Sequence, residues 1–141
     1  MAADAQVGNW LFWHEGTWTA RADDGGRETV TAADLLSRTV LYKVGHHGSH
    51  NATLKKRGLE IMDSDELVAM IPVDQDFANN TKHWKMPFPA LLTELTRRTK
   101  GRVIRADNGL PKKGDVQAEA RKAFFARAKE TPLYVEHLIP L

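Results

Sequence analysis

Cysteine is absent from this 141-residue chain. Its absence excludes disulfide bonds, thiolate zinc sites and cysteine nucleophiles together. No apolar run approaches the roughly 18–20 residues of a membrane-spanning helix, and the first residues lack the basic-then-apolar pattern of a secretory signal peptide. We therefore expect a soluble protein with no membrane association, and a chain without cysteine is compatible with the reducing cytoplasm.

The net charge of the chain is also small. The 20 basic and 18 acidic side chains leave a formal charge of +2, which is too small to predict nucleic-acid binding from net charge. Hydrophobic residues make up 42% of the chain and charged residues 27%, as is typical of a folded globular protein. The length, together with the absence of a repeat or a linker, predicts a single domain over residues 1–141.

Histidine, in contrast, is concentrated at one point of the chain. The apolar run 39–44 leads into a glycine-flanked segment in which His46, His47 and His50 follow one another closely. Imidazoles are the commonest metal ligands and the natural proton carriers near neutral pH. Loops at strand ends are where rigid scaffolds hold such groups. The segment therefore predicts a functional site at the end of a buried strand.

Strands and helices that alternate along the chain predict an α/β layer structure. Apolar runs predict strands at 39–44, 67–73, 102–105 and 133–139 with an edge strand at 17–22, and apolar periodicity predicts helices at 5–14, 87–100 and 115–130. Thr31 and Asp34 fit a capping box before a short helix. Asn51 or Thr53 can cap a helix after the histidines, and Ala123 is expected to point inward from the last helix.

The segment Leu41–Ser49, which reads L-Y-K-V-G-H-H-G-S, resembles the K-V-x-H-H-G-S motif of metallo-β-lactamase-fold hydrolases. The similar subgroup is related to the metallo-hydrolase domain of the DNA-uptake channel proteins of competent bacteria. Residues 68–73 resemble the strand after that motif, 86–92 the H-P-x-P helix start, and 102–107 the next strand. The resemblance implies the C-terminal half of a metallo-β-lactamase-like αββα sandwich, with a mixed sheet covered by helices.

The resemblance also assigns roles to individual residues. Asp4 stands where the family has the carboxylate that bridges two metal ions, and His46 stands at the terminal histidine ligand of the second metal. These ligand types suit zinc, manganese or iron, and a metal pair activates water for attack on an ester or phosphodiester bond. His47 would be the catalytic residue that handles protons, and Ser49 and Asn51 would hold an anionic substrate near a helix start.

Two parts of the family pattern are absent. The chain contains no H-x-H-x-D-H motif, and Met86 stands in place of the histidine of the H-P turn. His83, Trp84 or Lys85 could take over the contacts of that histidine, and His83 is the substrate-binding candidate among them. The two candidate ligands are fewer than the about three protein ligands of a catalytic zinc. We therefore expect no hydrolysis by this chain without a missing N-terminal half.

A non-catalytic binding or assembly module is the alternative interpretation. Two copies of the chain could pair as a homodimer, burying the surface that a second half of the fold would cover. The large rings of Trp10, Trp13 and Trp18 fit either core packing or such a surface.

Nucleic-acid binding is a third interpretation, based on two basic clusters at Lys55–Arg57 and at Arg97 and Arg98. Both clusters also fit the solvated face of a helix. His14 and His137 fit packed, hydrogen-bonded positions better than ligand positions.

Overall fold

The computed structural model describes residues 5–139, so Asp4 lies outside the described residues. In chain order the helices and strands are α1 (Val7–Trp13), β1 (Thr17–Arg21), β2 (Arg27–Thr31), α2 (Ala32–Ser37), β3 (Leu41–Lys43), β4 (Val68–Ile71), α3 (Pro89–Arg98), β5 (Val103–Arg105), α4 (Ala118–Arg127), β6 (Ala128–Glu130) and β7 (Val135–His137). Single helical turns occur at His46–Gly48, Lys55–Leu59, Phe77–Thr81 and Lys113–Asp115.

The centre of the fold is a parallel sheet in the order β3-β4-β5. Tyr42 on β3 pairs with Ala69 on β4. The near-continuous apolar run of β4 suits this position, because a parallel sheet is covered on both faces. Side chains alternate along the strand, so that Ala69 and Ile71 pack into one hydrophobic cluster and Val68 and Met70 into another.

The first face of the sheet is covered by α1, α2 and α3. Trp10, Leu36 and Leu95 are buried and reach the cluster from these three helices. The Trp10 ring meets the Tyr42 ring edge-on, with 6.1 Å between the centroids, and its indole N–H donates to the Ala52 carbonyl at 3.2 Å. Burial raises the pKa of Tyr42 to about 12. This face therefore anchors the strand that leads to the histidines.

The second face is covered by α4 and the β6–β7 hairpin. Ala120 and Phe124 are buried against Val68 and Ile104. The helix predicted at 115–130 is found, but it is shorter. The inward position predicted for Ala123 is wrong, because that side chain is exposed. Residues four apart face the same way on a helix, so Ala120 and Phe124 define the buried stripe and Ala123 lies beside it.

Two hairpin strands, β2 and β6, lie where no strand was predicted. β2 pairs antiparallel with β1, the predicted edge strand, and places Trp18 opposite Val30. β6 pairs in the same way with β7. Most residues of β2 and β6 are exposed or half-buried. Their sequences therefore lack the apolar alternation by which a half-buried strand is recognised.

The predicted capping box at α2 is confirmed, whereas the predicted caps after the histidines are wrong. Thr31 and Asp34 exchange side-chain and backbone hydrogen bonds at the start of α2. In contrast, no side chain caps the turn Lys55–Leu59. The hydroxyl of Thr53 is engaged with Tyr42 at 2.7 Å, and Asn51 accepts a hydrogen bond from another loop residue. Both candidate caps are therefore used elsewhere.

The α/β class predicted from the sequence is confirmed. Parallel pairing is found in the central sheet, and antiparallel pairing in two separate hairpins. In residues 5–139 there is no helix with the length and apolarity needed to cross a lipid bilayer.

His137, on β7, makes stability sensitive to acid. Its ring stacks on Phe124 with 5.3 Å between centroids, and its Nδ1 is buried without a hydrogen-bond partner in residues 5–139. Burial first, and then the charges of Arg127 and Arg102, lower the pKa of His137 below 6.5, although Glu66 opposes them. Near pH 6 the unfolded chain therefore binds more protons at this position than the folded chain.

We accordingly expect the free energy of unfolding to fall as the pH drops below 6.5. His137→Phe keeps a stacked ring and removes the titrating group, so its stability should fall less over the same range. Urea unfolding of both proteins between about pH 7.5 and 5 measures the difference. Parallel stability curves for the two proteins would contradict this account of His137.

Candidate functional site

The residues His46–Gly48 form a tight turn just beyond the end of β3, here called the histidine turn. The Val44 N–H donates to the Met70 carbonyl at 2.8 Å, so the chain is still held by β4 two residues before the turn begins. Ligands of open parallel sheets bind at the carboxyl ends of the strands. The predicted position of a site at this strand end therefore agrees with the topology of the sheet.

The backbone of the histidine turn is strained. His46, His47 and Gly48 all have left-handed conformations, with φ of 43°, 52° and 74°. Each non-glycine residue held in this region costs of the order of 1–3 kcal/mol, and the strain persists only where the surroundings impose it. Short backbone bonds close the turn, from the Gly48 N–H to Gly45 and from the Ser49 N–H to His46, both at 2.9 Å.

Gly48 explains how the surroundings impose this conformation. A Cβ at this position would lie 3.0 Å from Cβ of Pro87 and 3.3 Å from a methyl group of Ile71. The Gly48 carbonyl accepts a hydrogen bond from the Phe88 N–H at 2.7 Å. The turn is thus held between the end of β4 and the residues that lead into α3, and its last residue favours glycine because a Cβ would be crowded and its φ is positive.

His46 is half-buried and has a buried nitrogen without a partner. No atom of residues 5–139 makes a hydrogen bond with its Nδ1. A buried polar group left in this way costs about 1–3 kcal/mol. The nitrogen is therefore a hydrogen-bonding or ligand atom that residues 5–139 leave unused, and it is screened from solvent.

His47 is exposed and is oriented by the end of β4. Its Nδ1 lies 2.5 Å from the carbonyl oxygen of Pro72. A carbonyl only accepts hydrogen bonds, so the Nδ1 carries the proton and the neutral ring keeps its lone pair on Nε2. His47 therefore presents Nε2 as a base or as a ligand. In His46 it is the other ring nitrogen, Nδ1, that has no partner in residues 5–139.

The other predicted residues of this loop face each other. Ser49 is buried, and its hydroxyl donates to the Asn51 side-chain oxygen at 2.7 Å. The Ser49 hydroxyl is therefore engaged inside the loop, and the amide N–H groups of Asn51 are not used by this bond. His50 is exposed and meets Phe88 edge-on, with 6.3 Å between ring centroids.

His83 lies in a neighbouring loop rather than in the histidine turn. It is exposed, has a left-handed φ of 55°, and lines a depression of about 290 Å³ together with Asn79, Trp84 and Pro87. Because Pro87 also packs against Gly48, the depression adjoins the histidine turn. The structure thus brings His46, His47, Ser49 and Asn51 into one loop and places His83 at its border.

A complete metal centre is not formed by the described part of the chain. Within residues 5–139, no group of three or more histidine, aspartate or glutamate side chains is placed to hold a metal ion. His46 fits the role of a single ligand because its Nδ1 has no other partner. The carboxylate expected at Asp4 lies outside the described residues, so the donor set at hand does not fit a two-metal centre by itself.

A polar network that the sequence did not predict lies at the same edge of the sheet. Arg105, the last residue of β5, donates to both Asp107 oxygens at 2.9 and 2.7 Å and to the Gln75 side chain at 2.6 Å. Burial raises the pKa of Asp107, but the hydrogen bonds from Arg105 and from the Gln75 N–H outweigh it and leave the pKa below its ordinary value. Polar residues directly after an apolar strand were the signal that could have revealed it.

Three of the five basic residues in the two clusters are paired with carboxylates, whereas Lys56 and Arg57 form no ion pair within residues 5–139. Arg97 and Arg98 both contact the Glu94 carboxylate, at 2.6 and 2.7 Å, and these contacts, led by the Arg97 hydrogen bond, lower the pKa of Glu94 to about 2. Lys55 lies 3.9 Å from Glu60. Charges already paired within the chain give little support to a phosphate-binding surface.

No family model, curated protein or solved structure matches this chain. The interpretation of the histidine turn therefore depends on its sequence motif and its geometry.

The left-handed backbone at His46 gives a direct test of the strain. Ala normally stabilises a helical turn relative to Gly. At a left-handed position, however, Ala lowers the free energy of unfolding by about 1–2 kcal/mol relative to Gly. We therefore expect His46→Gly to be more stable than His46→Ala by about this amount. The matched control is Ala123→Gly on the exposed face of α4. This variant should lower the free energy of unfolding by about 1 kcal/mol. Urea unfolding measures all of these values, and a His46→Ala variant as stable as His46→Gly would exclude the strain.

Proposed function

We propose that this chain contributes the histidine turn of a metal-dependent hydrolase of the metallo-β-lactamase type. Its reaction would be hydrolysis of an ester or phosphodiester bond, with further ligands supplied from outside residues 5–139. The observation that carries the proposal is the unpartnered, buried Nδ1 of His46 in a strained turn at the carboxyl end of a parallel strand. The motif in Leu41–Ser49 supports it independently.

In this proposal His46 is a metal ligand and Asp4 is the carboxylate that completes its site. Backbone strain of the kind found in the histidine turn is tolerated where function requires a fixed geometry. A ligand whose orientation is fixed before the metal arrives loses less conformational freedom on binding. Gly48 and its contacts with Pro87 would therefore contribute to affinity without touching the metal.

His47 would handle protons next to that site. The bond from its Nδ1–H to the Pro72 carbonyl fixes the ring and leaves Nε2 free to accept a proton. A histidine that binds a metal through one nitrogen commonly donates its other N–H to a carbonyl in the same way. His47 is therefore also a candidate ligand through Nε2, and metal-binding measurements on the single variants decide between the two roles.

The test is reconstitution. The chain is mixed with a polypeptide that carries an H-x-H-x-D-H motif, zinc or manganese is added, and metal uptake and hydrolysis of bis(p-nitrophenyl) phosphate are measured. We expect uptake and turnover that neither component shows alone. His46→Ala should lower the amount of metal taken up, because it removes a ligand of the second metal, and His47→Ala should lower turnover by about 10²-fold or more if its role is proton transfer.

The control for both variants is His50→Ala, which removes an exposed imidazole from the same loop and should change neither value. Metal uptake by the mixture that is unaffected by His46→Ala would disprove the ligand role. No uptake in any mixture would disprove the hydrolase proposal for this chain.

An assembly module is the second candidate, and a patch of exposed apolar side chains favours it. On α1 and β1, Phe12 is 74% exposed and Leu11, Trp13 and Trp18 are each about 40% exposed. Trp13 and Trp18 pack against each other with 5.9 Å between centroids. Such a cluster is unusual on the surface of a monomer and is typical of an interface.

For this second candidate we expect the chain to form a dimer at micromolar concentration in sedimentation-velocity experiments. Phe12→Ser should weaken the dimer by about tenfold or more, because exposed aromatic residues dominate interface energies. Leu138→Ser is the matched control, since Leu138 is exposed to a similar degree, at 66%, and lies just after the end of β7. A strict monomer for the unchanged chain would eliminate the homodimer.

A further inference from the structure

A second candidate site lies on the other face of the sheet. It is a cleft of about 700 Å³ whose floor includes Lys43, Met70 and Ile104. Its walls are the loop after β5 and the turn between β6 and β7. α4 covers another part of the same face, so the cleft occupies what that helix leaves open. The volume falls within the about 300–1,000 Å³ typical of small-molecule sites.

Within residues 5–139, the lining of the cleft contains two cations, and one of them has no ion pair. No carboxylate of residues 5–139 forms an ion pair with the Lys43 ammonium. The other cation of the lining, Arg105, is bound to Asp107 and Gln75. The lining carboxylate of Glu130 accepts a hydrogen bond from the Leu110 N–H at 3.3 Å. Among the cations of the lining, Lys43 is therefore the one that residues 5–139 leave without an ion pair and that can receive an anionic group.

The turn between β6 and β7 adds exposed apolar side chains to the lining of the cleft. Leu133 is 92% exposed and Tyr134 is 50% exposed, and both line the cleft. Thr131 fixes their turn, since its N–H donates to the Tyr134 carbonyl at 2.9 Å and its hydroxyl oxygen accepts from the Tyr134 N–H at 3.1 Å. Apolar side chains and the Lys43 ammonium in one lining match a ligand with a charged end and an apolar body.

We propose that this cleft binds a small monocarboxylate with an apolar body. Its carboxylate contacts Lys43, and its body packs against Met70, Ile104 and the turn that carries Leu133. A ligand with one negative charge fits best, because Lys43 is the lining cation without an ion pair and the carboxylates of Asp107 and Glu130 in the same lining disfavour each further negative charge. The proposal is independent of the metal and of the hydrolase proposal.

The experiment uses 4-phenylbutyrate as the probe and the metal-free chain in the presence of a chelator. Binding is followed by amide chemical shifts, and two further compounds separate the contributions. 4-Phenylbutanamide has the same body without the charge, and inorganic phosphate has charge without the body. We expect saturable binding of the acid with shifts at Lys43, Ile104 and Tyr134, binding of the amide that is about tenfold weaker, and no saturable binding of phosphate.

Variants test the two contacts separately. Lys43→Met keeps roughly the length of the side chain and removes its charge. It should weaken binding of the acid by about tenfold without changing binding of the amide. Leu133→Ser, on an exposed turn, should weaken both compounds. Lys122→Met on the exposed face of α4 is the charge-matched control and should have no effect. Equal affinity for acid and amide, unchanged binding by Lys43→Met, or shifts confined to residues outside the cleft would each overturn the proposal.

Discussion

The hydrogen bond from the Phe88 N–H to the Gly48 carbonyl, 2.7 Å long, connects the end of β3 with the start of α3. It acts together with the close packing of Gly48 against Pro87 and Ile71. Left-handed histidines are unstable on their own. The orientations of His46 and His47 therefore depend on this contact between segments about forty residues apart.

The same contact gives the two histidines different environments. The turn directs His47 to the Pro72 carbonyl, while His46 keeps a buried nitrogen without a partner in the described residues. An arrangement that carries both backbone strain and an unsatisfied polar group is costly to stability, and such costs are typical of functional sites. The histidine turn thus combines backbone strain with a nitrogen that has no partner in residues 5–139.

Much of the fold is predictable from local patterns. The apolar run at Val68–Ile71, the capping box at Thr31 and the periodicity of α3 each indicate the element that is found. β2 and β6 are not predictable in this way, because their pairing depends on a partner strand rather than on their own apolar pattern. The cap predicted at Thr53 failed because the turn is preceded by Leu54 instead, and the Thr53 hydroxyl is engaged with Tyr42 of β3.

The position of the candidate site is predictable from the spacing of the histidines, but its geometry is not. The bond from His47 to Pro72 spans 25 residues, and no local pattern specifies it. The network of Arg105 with Asp107 and Gln75 also joins two loops that are distant in sequence. Long-range hydrogen bonds of this kind decide which nitrogen of an imidazole is available, and therefore which chemistry a histidine can perform.

The most direct test of the central claim is the tautomer of His47, measured by ¹⁵N NMR of the ring nitrogens at a pH where the imidazole is neutral. If the turn is held against the end of β4 as described, the Nδ1 of His47 is protonated and its Nε2 is not. The His47 signals should change when Gly48→Ala disturbs the turn. A His47 ring protonated on Nε2, or one that averages between both tautomers as a free imidazole does, would contradict the account.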